Sequence, residues 1–177
     1  IPKIIAAGRL QTQKNFAMLI RVAALLQKQG LSFKMEIYGE GPLEKELQQL
    51  ITDYDVAGCC RLCGRSHDMT RVYSSADVFA MTSNYEGMPN ALMEAMAAGL
   101  PCVSTDCPTG PAELITNGDN GFLVGMNDEV AMAEAIRMVL SDDDLAHRVG
   151  ICARESIRAH YSPPMIAQKL IHEVLRL

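Results

Sequence analysis

Short, dense apolar runs alternate along the chain with longer amphipathic stretches, the pattern of strands and helices wound around a parallel sheet. The runs at residues 4–7, 33–38, 61–63, 78–81, 101–104 and 121–124 predict six strands, the first three closed by Gly8, Gly39 and Gly64. Between the first two, Phe16, Leu19, Ile20, Ala23 and Leu26 recur at helical spacing. They predict a helix over 16–29, ended by Gly30. Further helices are predicted over 43–54, 68–75, 89–98, 128–140 and 143–161, with Pro42 and Pro89 in first turns. Pro163-Pro164 separates the last of these from one more, ending near Leu175, whose Met165, Ile166, Leu170 and Val174 form an apolar stripe.

Strand-helix alternation of this kind implies an α/β fold: a doubly wound, mainly parallel, six-stranded Rossmann-like sheet. In the strand order 3-2-1-4-5-6, strands one and four are neighbours and the loops that follow them leave toward opposite faces. Ligands of such sheets bind in the crevice at the carboxyl ends of those two strands. The rule points at Gly8-Arg9-Leu10 with Lys14, and at residues 83–94. No internal repeat, low-complexity tract or long linker divides the chain, so residues 1–177 are expected to form a single domain.

Composition narrows the partners. Of 177 residues, 49% are hydrophobic and 21% charged, ordinary for a globular protein. A net charge of -5 with no basic run argues against a nucleic-acid partner. No stretch reaches the roughly 18 apolar residues of a membrane span, and no signal peptide stands at the start. The chain opens on Ile1-Pro2-Lys3 without an initiator Met, as a clipped piece of a longer protein would. The expected location is cytoplasmic, with the parent enzyme peripheral at the inner face of the membrane. Six cysteines, most in apolar segments, read as free thiols of a reducing compartment. Cys60-x-x-Cys63 with His67 has a metal-like spacing, but no second pair follows to close a zinc site.

Two constellations carry chemistry. Gly8 lets the backbone turn tightly, and Arg9 and Lys14 beside a helix N-terminus make a receptor for a diphosphate. Arginine gives a planar fork, lysine a mobile point charge. The second constellation is Ser83-Asn84-Tyr85-Glu86-Gly87-Met88-Pro89-Asn90-Ala91-Leu92-Met93-Glu94. Pro89 at the first helical position leaves the amides of Asn90, Ala91 and Leu92 free to donate to a phosphate oxygen. Glu86 precedes the helix and Glu94 lies inside it. A carboxylate there can accept from vicinal ribose hydroxyls. Ala91, Leu92, Ala95, Met96 and Ala98 are apolar, so the helix is expected to be largely buried and Glu94 to need a partner.

The pairing of Gly8-Arg9-Leu10 and Lys14 with Glu86-Gly-x-Pro-Asn-x-x-x-Glu94 resembles the retaining glycosyltransferases of group one, whose E-x7-E signature the two glutamates match. Gly39-x-Gly41-Pro42, Gly64-Arg65, Ser75-Ala76-Asp77-Val78, Gly99-x-Pro101-x-Val103, Glu113, Asn117-Gly118 and Gly121-Phe122-Leu123-Val124 extend the resemblance over essentially the whole chain. The resemblance implies one half of a GT-B architecture: the donor-nucleotide-binding domain, with an N-terminal Rossmann-like acceptor domain missing. It implies a nucleotide-diphosphate sugar as donor, a UDP-sugar favoured, and a lipid-linked or saccharide acceptor. Arg9 and Lys14 would hold the diphosphate, Glu86 would face the transferred sugar, and these three would carry the catalysis. Gly87, Met88, Pro89, Asn90, Ala91 and Leu92 would present the turn to phosphates and sugar, and Glu94 would read the ribose. Gly64 and Arg65 would lie against the base, and Gly8, Gly39 and Gly41 would shape the crevice. The two cations would replace a metal, so neither metal nor cofactor is implied, and the fragment alone would be inactive. Asp142-Asp143-Asp144 reads as a helix cap.

A phospho-receiver domain needs acids after strand one, where Arg9 stands. A nicotinamide dinucleotide domain wants Gly-x-Gly-x-x-Gly there, whereas Gly39-x-Gly41 follows strand two without the third glycine. The remaining alternatives are a sugar-nucleotide epimerase of GT-B fold and a non-catalytic nucleotide-sugar-binding module. For the loop Thr105-Asp106-Cys107-Pro108-Thr109-Gly110-Pro111, two readings stand: a selector of the sugar, or a rigid turn capping the next helix.

Overall fold

The computed structural model describes residues 1–161; the final helix and its apolar stripe lie outside the described residues. Six strands, β1 (Lys3–Ala7), β2 (Lys34–Tyr38), β3 (Cys60–Gly64), β4 (Val78–Met81), β5 (Cys102–Thr105) and β6 (Phe122–Val124), form one sheet. Its order is β3-β2-β1-β4-β5-β6, the expected one. All five pairings are parallel. Helices α1 (Phe16–Lys28), α2 (Glu44–Asp53), α3 (Met69–Ser74), α4 (Asn90–Ala97) and α5 (Pro111–Leu114) fill the crossovers, and α6 (Glu129–Ser141) and α7 (Asp143–His160) follow β6.

Successive side chains of a strand face opposite ways, and the core divides accordingly. Ile4, Ala6, Met35, Ile37, Val78 and Ala80 pack beneath α1, α2 and α6. Ile5, Phe79, Met81 and Cys102 pack on the other face, against α3, α4 and α7. Both faces of the central strands are covered, which is why those strands read as continuous apolar runs. α4 and α7 cross in close contact: a Cβ on Gly150 would lie 2.2 Å from the Gly99 carbonyl oxygen.

Four side chains start helices as their residue types favour. Asn15, with φ 47, accepts from the Met18 amide, Asp68 from that of Arg71, Asp128 from that of Ala131 and Asp142 from that of Leu145. The Asp142-Asp143-Asp144 run is therefore the cap and first turn of α7. Two short elements carry no periodic signal and were not expected: α5, and a 3₁₀ turn at Thr12–Lys14. Pro42 falls outside α2, whose N-cap is Leu43.

Buried inside the sheet is a charge the periodicity hides. Glu36 of β2 is nearly inaccessible, accepts from Tyr38 Oη at 2.8 Å and is ion-paired to Arg61 and to Lys3. Burial raises its pKa, but the Tyr38 and Arg61 hydrogen bonds and the two cations outweigh burial and hold it below the ordinary carboxylate value. Cys60 is also in the core, where burial pushes its thiol up to about 12. Among the described residues no group of three or more His, Cys, Asp or Glu is placed to hold a metal ion.

Candidate functional site

A cleft of about 750 Å³ opens at the carboxyl ends of β1, β2 and β4, where the strand order reverses. Of the residues expected from the sequence, Gly8, Arg9, Lys14, Gly39, Gly41, Arg65, Met88, Asn90, Ala91 and Glu94 line it. Gly64, Glu86, Gly87, Pro89 and Leu92 do not. Ala7, Tyr38, Glu40, Ser66, Met69 and Tyr73 line it too, and sequence reasoning named none of them as site residues. Tyr38 is the last residue of β2 and Glu40 stands between two expected site glycines, so strand-end placement alone could have found them.

The floor is made of two loops pressed together. The amide of Gly8 donates to the Tyr38 carbonyl at 3.0 Å, and that of Leu10 to the Glu40 carbonyl at 3.0 Å. A Cβ on Gly39 would stand 1.9 Å from the Gly8 carbonyl oxygen, and one on Gly41 would stand 2.3 Å from that of Leu10. These glycines are thus required by backbone against backbone. Gly39 also donates to the Gly64 carbonyl at 2.8 Å, which ties the end of β3 into the same floor.

The β1 and β4 loops are stitched across the switch point. Thr82 Oγ1 donates to the Lys14 carbonyl at 3.0 Å, the Asn84 amide to the Gln13 carbonyl at 2.8 Å, and Asn84 Nδ2 to the Thr12 carbonyl at 2.9 Å. Gln13 Nε2 donates to the Tyr85 carbonyl at 3.0 Å. This lacing fixes the 3₁₀ turn and lays the Lys14 stem along Gly8, 3.1 Å from where a Cβ would stand. Lys14 Nζ meets Glu86 Oε1 at 2.5 Å, and Ser83 Oγ donates to the same oxygen at 2.6 Å. Glu86 is only 5% exposed, so its carboxylate is held inward beneath the cleft wall. Arg9 and Arg65 are exposed and make no ion pair among the described residues. Before any ligand arrives, the available positive charge on the cleft is that of these two guanidiniums.

Residues 106–110 buttress Glu86 from behind. Thr109 Oγ1 donates to the Glu86 carbonyl, the Glu86 amide to that of Pro108, and Thr105 Oγ1 to that of Ser83. None of these residues lines the cleft. Of the two readings of this loop, the geometry favours the rigid turn: it ends at Gly110, which precedes Pro111 at the start of α5.

Two expectations at α4 need correction. Pro89 is the N-cap rather than the first helical residue, with φ -80 and ψ 76. Those angles close an inverse γ-turn that sends the Asn90 amide to the Met88 carbonyl at 2.9 Å. The amides of Ala91 and Leu92 remain without a partner among the described residues, while the Leu92 side chain is wholly buried. Glu94 is exposed, not buried: it lies on the cleft side of α4, and Leu92, Ala95 and Met96 face the core. Its partner is Tyr73, whose Oη donates to Glu94 Oε2 at 3.0 Å. Apolar neighbours misled the sequence reading because a helix of eight residues has room for one wet edge.

A doubly wound parallel sheet with an arginine-lined cleft at its switch point defines a Rossmann-like α/β domain. The chain belongs to the glycosyltransferases of group 1: the family described as "Glycosyl transferases group 1" matches residues 2–156. It is 33% identical over 167 residues to the amylovoran biosynthesis glycosyltransferase AmsD of Erwinia amylovora, covering 94% of this chain and 46% of that protein. It is 35% identical over 178 residues to the putative colanic acid biosynthesis glycosyltransferase WcaL of Escherichia coli K12, covering 95% and 43%. Among solved structures it is similar to Staphylococcus aureus TarM in complex with fondaparinux, alpha-GlcNAc-glycerol and UDP. That match has a TM-score of 0.92 and 29% identity, over 96% of this chain and 34% of TarM. The chain spans less than half the length of these relatives. No helix among the described residues is long and apolar enough to cross a membrane.

Proposed function

We propose that this chain is the donor-binding half of a retaining, metal-independent glycosyltransferase acting on a nucleotide-diphosphate sugar, with a UDP-sugar as the favoured donor. The observation that carries the reading is the cleft itself. It places Arg9, the Lys14 ammonium, the free Ala91 amide and the Glu94 carboxylate around one volume at the switch point. Arg9 and the start of α4 suit the diphosphate, and Glu94 suits the ribose hydroxyls. Arg65 and Ser66, which line the cleft just past β3, are assigned to the base. The UDP in the TarM complex supports the choice of nucleotide. Lys14 is already neutralised by Glu86, so phosphate must share or replace that partner, and Arg9 is the more direct charge for the leaving diphosphate. Glu86 does not line the cleft, so it acts on the transferred sugar through the Lys14 ammonium that it holds.

An acceptor domain, N-terminal in the same parent chain, would supply the other wall and the acceptor pocket, whether for a saccharide or a lipid-linked sugar. The cytoplasm, with the parent enzyme peripheral at the membrane, is the compartment this reading implies. Without that domain the two substrates are not held together, so the chain alone turns nothing over. Calorimetry with UDP in the presence of EDTA tests the donor half. The expected result is metal-free binding at about 10⁻⁵–10⁻³ M, weak because the closing domain is absent. Strict dependence on Mg²⁺ overturns the proposal. Anomeric analysis of the product made by the complete parent enzyme tests retention, and a panel of nucleotide sugars separates transfer from epimerisation.

A further inference from the structure

Tyr73 stands in α3, outside every motif the sequence offers, yet its hydroxyl reaches the cleft. The ring is 4% exposed and sits edge-on to Phe79, with centroids 6.1 Å apart and planes at 62°. Phe79 is wholly buried in β4, paired in register with Ile5 of β1 and Cys102 of β5. The ring is therefore clamped to the centre of the sheet, and only its oxygen meets a polar group. That group is Glu94 Oε2, at 3.0 Å. Burial and the neighbouring Glu94 carboxylate push the Tyr73 pKa up, so the hydroxyl keeps its proton and donates.

Glu94 is exposed on a helix edge and makes no ion pair among the described residues. A glutamate in that situation samples several rotamers, and a ligand that needs one of them must bear the cost of selecting it. We propose that Tyr73 is a positioning residue: through its hydrogen bond to Glu94 Oε2 it holds the carboxylate in one orientation, with Oε1 left free for the vicinal hydroxyls of a ribose. The proposal rests on the assignment of Glu94 as the ribose contact and extends it. A purely structural Tyr73 would use Glu94 only to satisfy its own hydroxyl.

The two roles separate in one set of titrations. UDP and 2′-deoxy-UDP are titrated against the wild-type chain, Tyr73→Phe, Glu94→Gln and the double variant, with thermal unfolding of each alongside. Phenylalanine keeps the ring and its contact with Phe79, and the exposed Glu94 carboxylate recovers its lost bond from water. The unfolding midpoint of Tyr73→Phe should therefore stay close to wild type. Wild type should prefer the ribonucleotide by about ten- to a hundred-and-fiftyfold, the range of one charge-assisted hydrogen bond. Tyr73→Phe should lose about three- to tenfold of that preference, and should lose nothing more when Glu94 is already Gln, because coupled residues are not additive. If Glu94→Gln abolishes the preference and Tyr73→Phe leaves it at wild-type level, the positioning role is overturned and the ribose assignment stands. If Glu94→Gln leaves the preference intact, the ribose assignment falls and the positioning role falls with it.

Discussion

Lys14 and Glu86 meet at 2.5 Å, one on each side of the switch point, with Glu86 almost wholly out of water. Removing the lysine leaves a buried carboxylate with only Ser83 Oγ for company, whereas removing Arg9 leaves nothing stranded. The two cations should thus respond differently to alanine. Lys14→Ala should lower stability by about 1–3 kcal/mol in urea unfolding, the penalty for an orphaned buried polar group, and Lys14→Ala with Glu86→Gln should recover most of it. Arg9→Ala should leave the unfolding curve in place and weaken UDP binding by about 1.5–3 kcal/mol. A common effect on both measurements would contradict this division. Glu36 carries the pH dependence. Its folded pKa lies below its ordinary value, so its contribution to stability is complete above the ordinary carboxylate pKa. That contribution is lost as pH falls through the lowered one. Urea midpoints measured from neutral pH into the acid range should fall more steeply for wild type than for Glu36→Gln; parallel curves would show that Glu36 does not carry it. The motif residues were legible in the sequence because glycines, prolines and charges announce themselves. The partners were not: Tyr73 to Glu94, Arg61 to Glu36 and Lys14 to Glu86 lie 21, 25 and 72 positions apart, and no local pattern encodes them.

Strands and long helices stood where their periodicity put them, within a residue or two at their ends. β4 is matched to the residue and α7 nearly so. Burial drives those elements, and burial is what an apolar pattern reports. The Thr12–Lys14 turn and α5 escaped because three or four residues have no period to show, and loop hydrogen bonds hold them instead. Pro89 was read as helical from its residue type, yet the turn at Met88 made it a cap. Helix crossings were equally invisible. Gly150 lies inside α7, where glycine costs about 1 kcal/mol against alanine, and only contact with Gly99 accounts for it. Gly150→Ala should gain helix propensity and still lose about 1–3 kcal/mol net, because α4 and α7 must separate. A variant at least as stable as wild type in urea would mean that the crossing relaxes freely.

At the scale of the molecule, the carboxyl end of one sheet carries the candidate cleft, and its two halves differ in kind. The floor is backbone: Gly8, Leu10, Gly39 and Gly41 interlock so closely that the loop after β2 has no space for a methyl group at Gly39 or Gly41. The rim is side chain: Met88 is 65% exposed, and Met69 and Ser66 stand beside the cleft. Such a molecule has a fixed and a variable part in the evolutionary sense. Selection for a different ligand has no room to work through the floor, where a single substitution would pry two strand ends apart. It has more room along the rim, where exchanges of Ser66 or Met88 change shape and polarity without disturbing a strand, whereas Met69 also packs against the core. Libraries aimed at changing what this cleft accepts should be built on Ser66 and Met88 and leave the glycines alone.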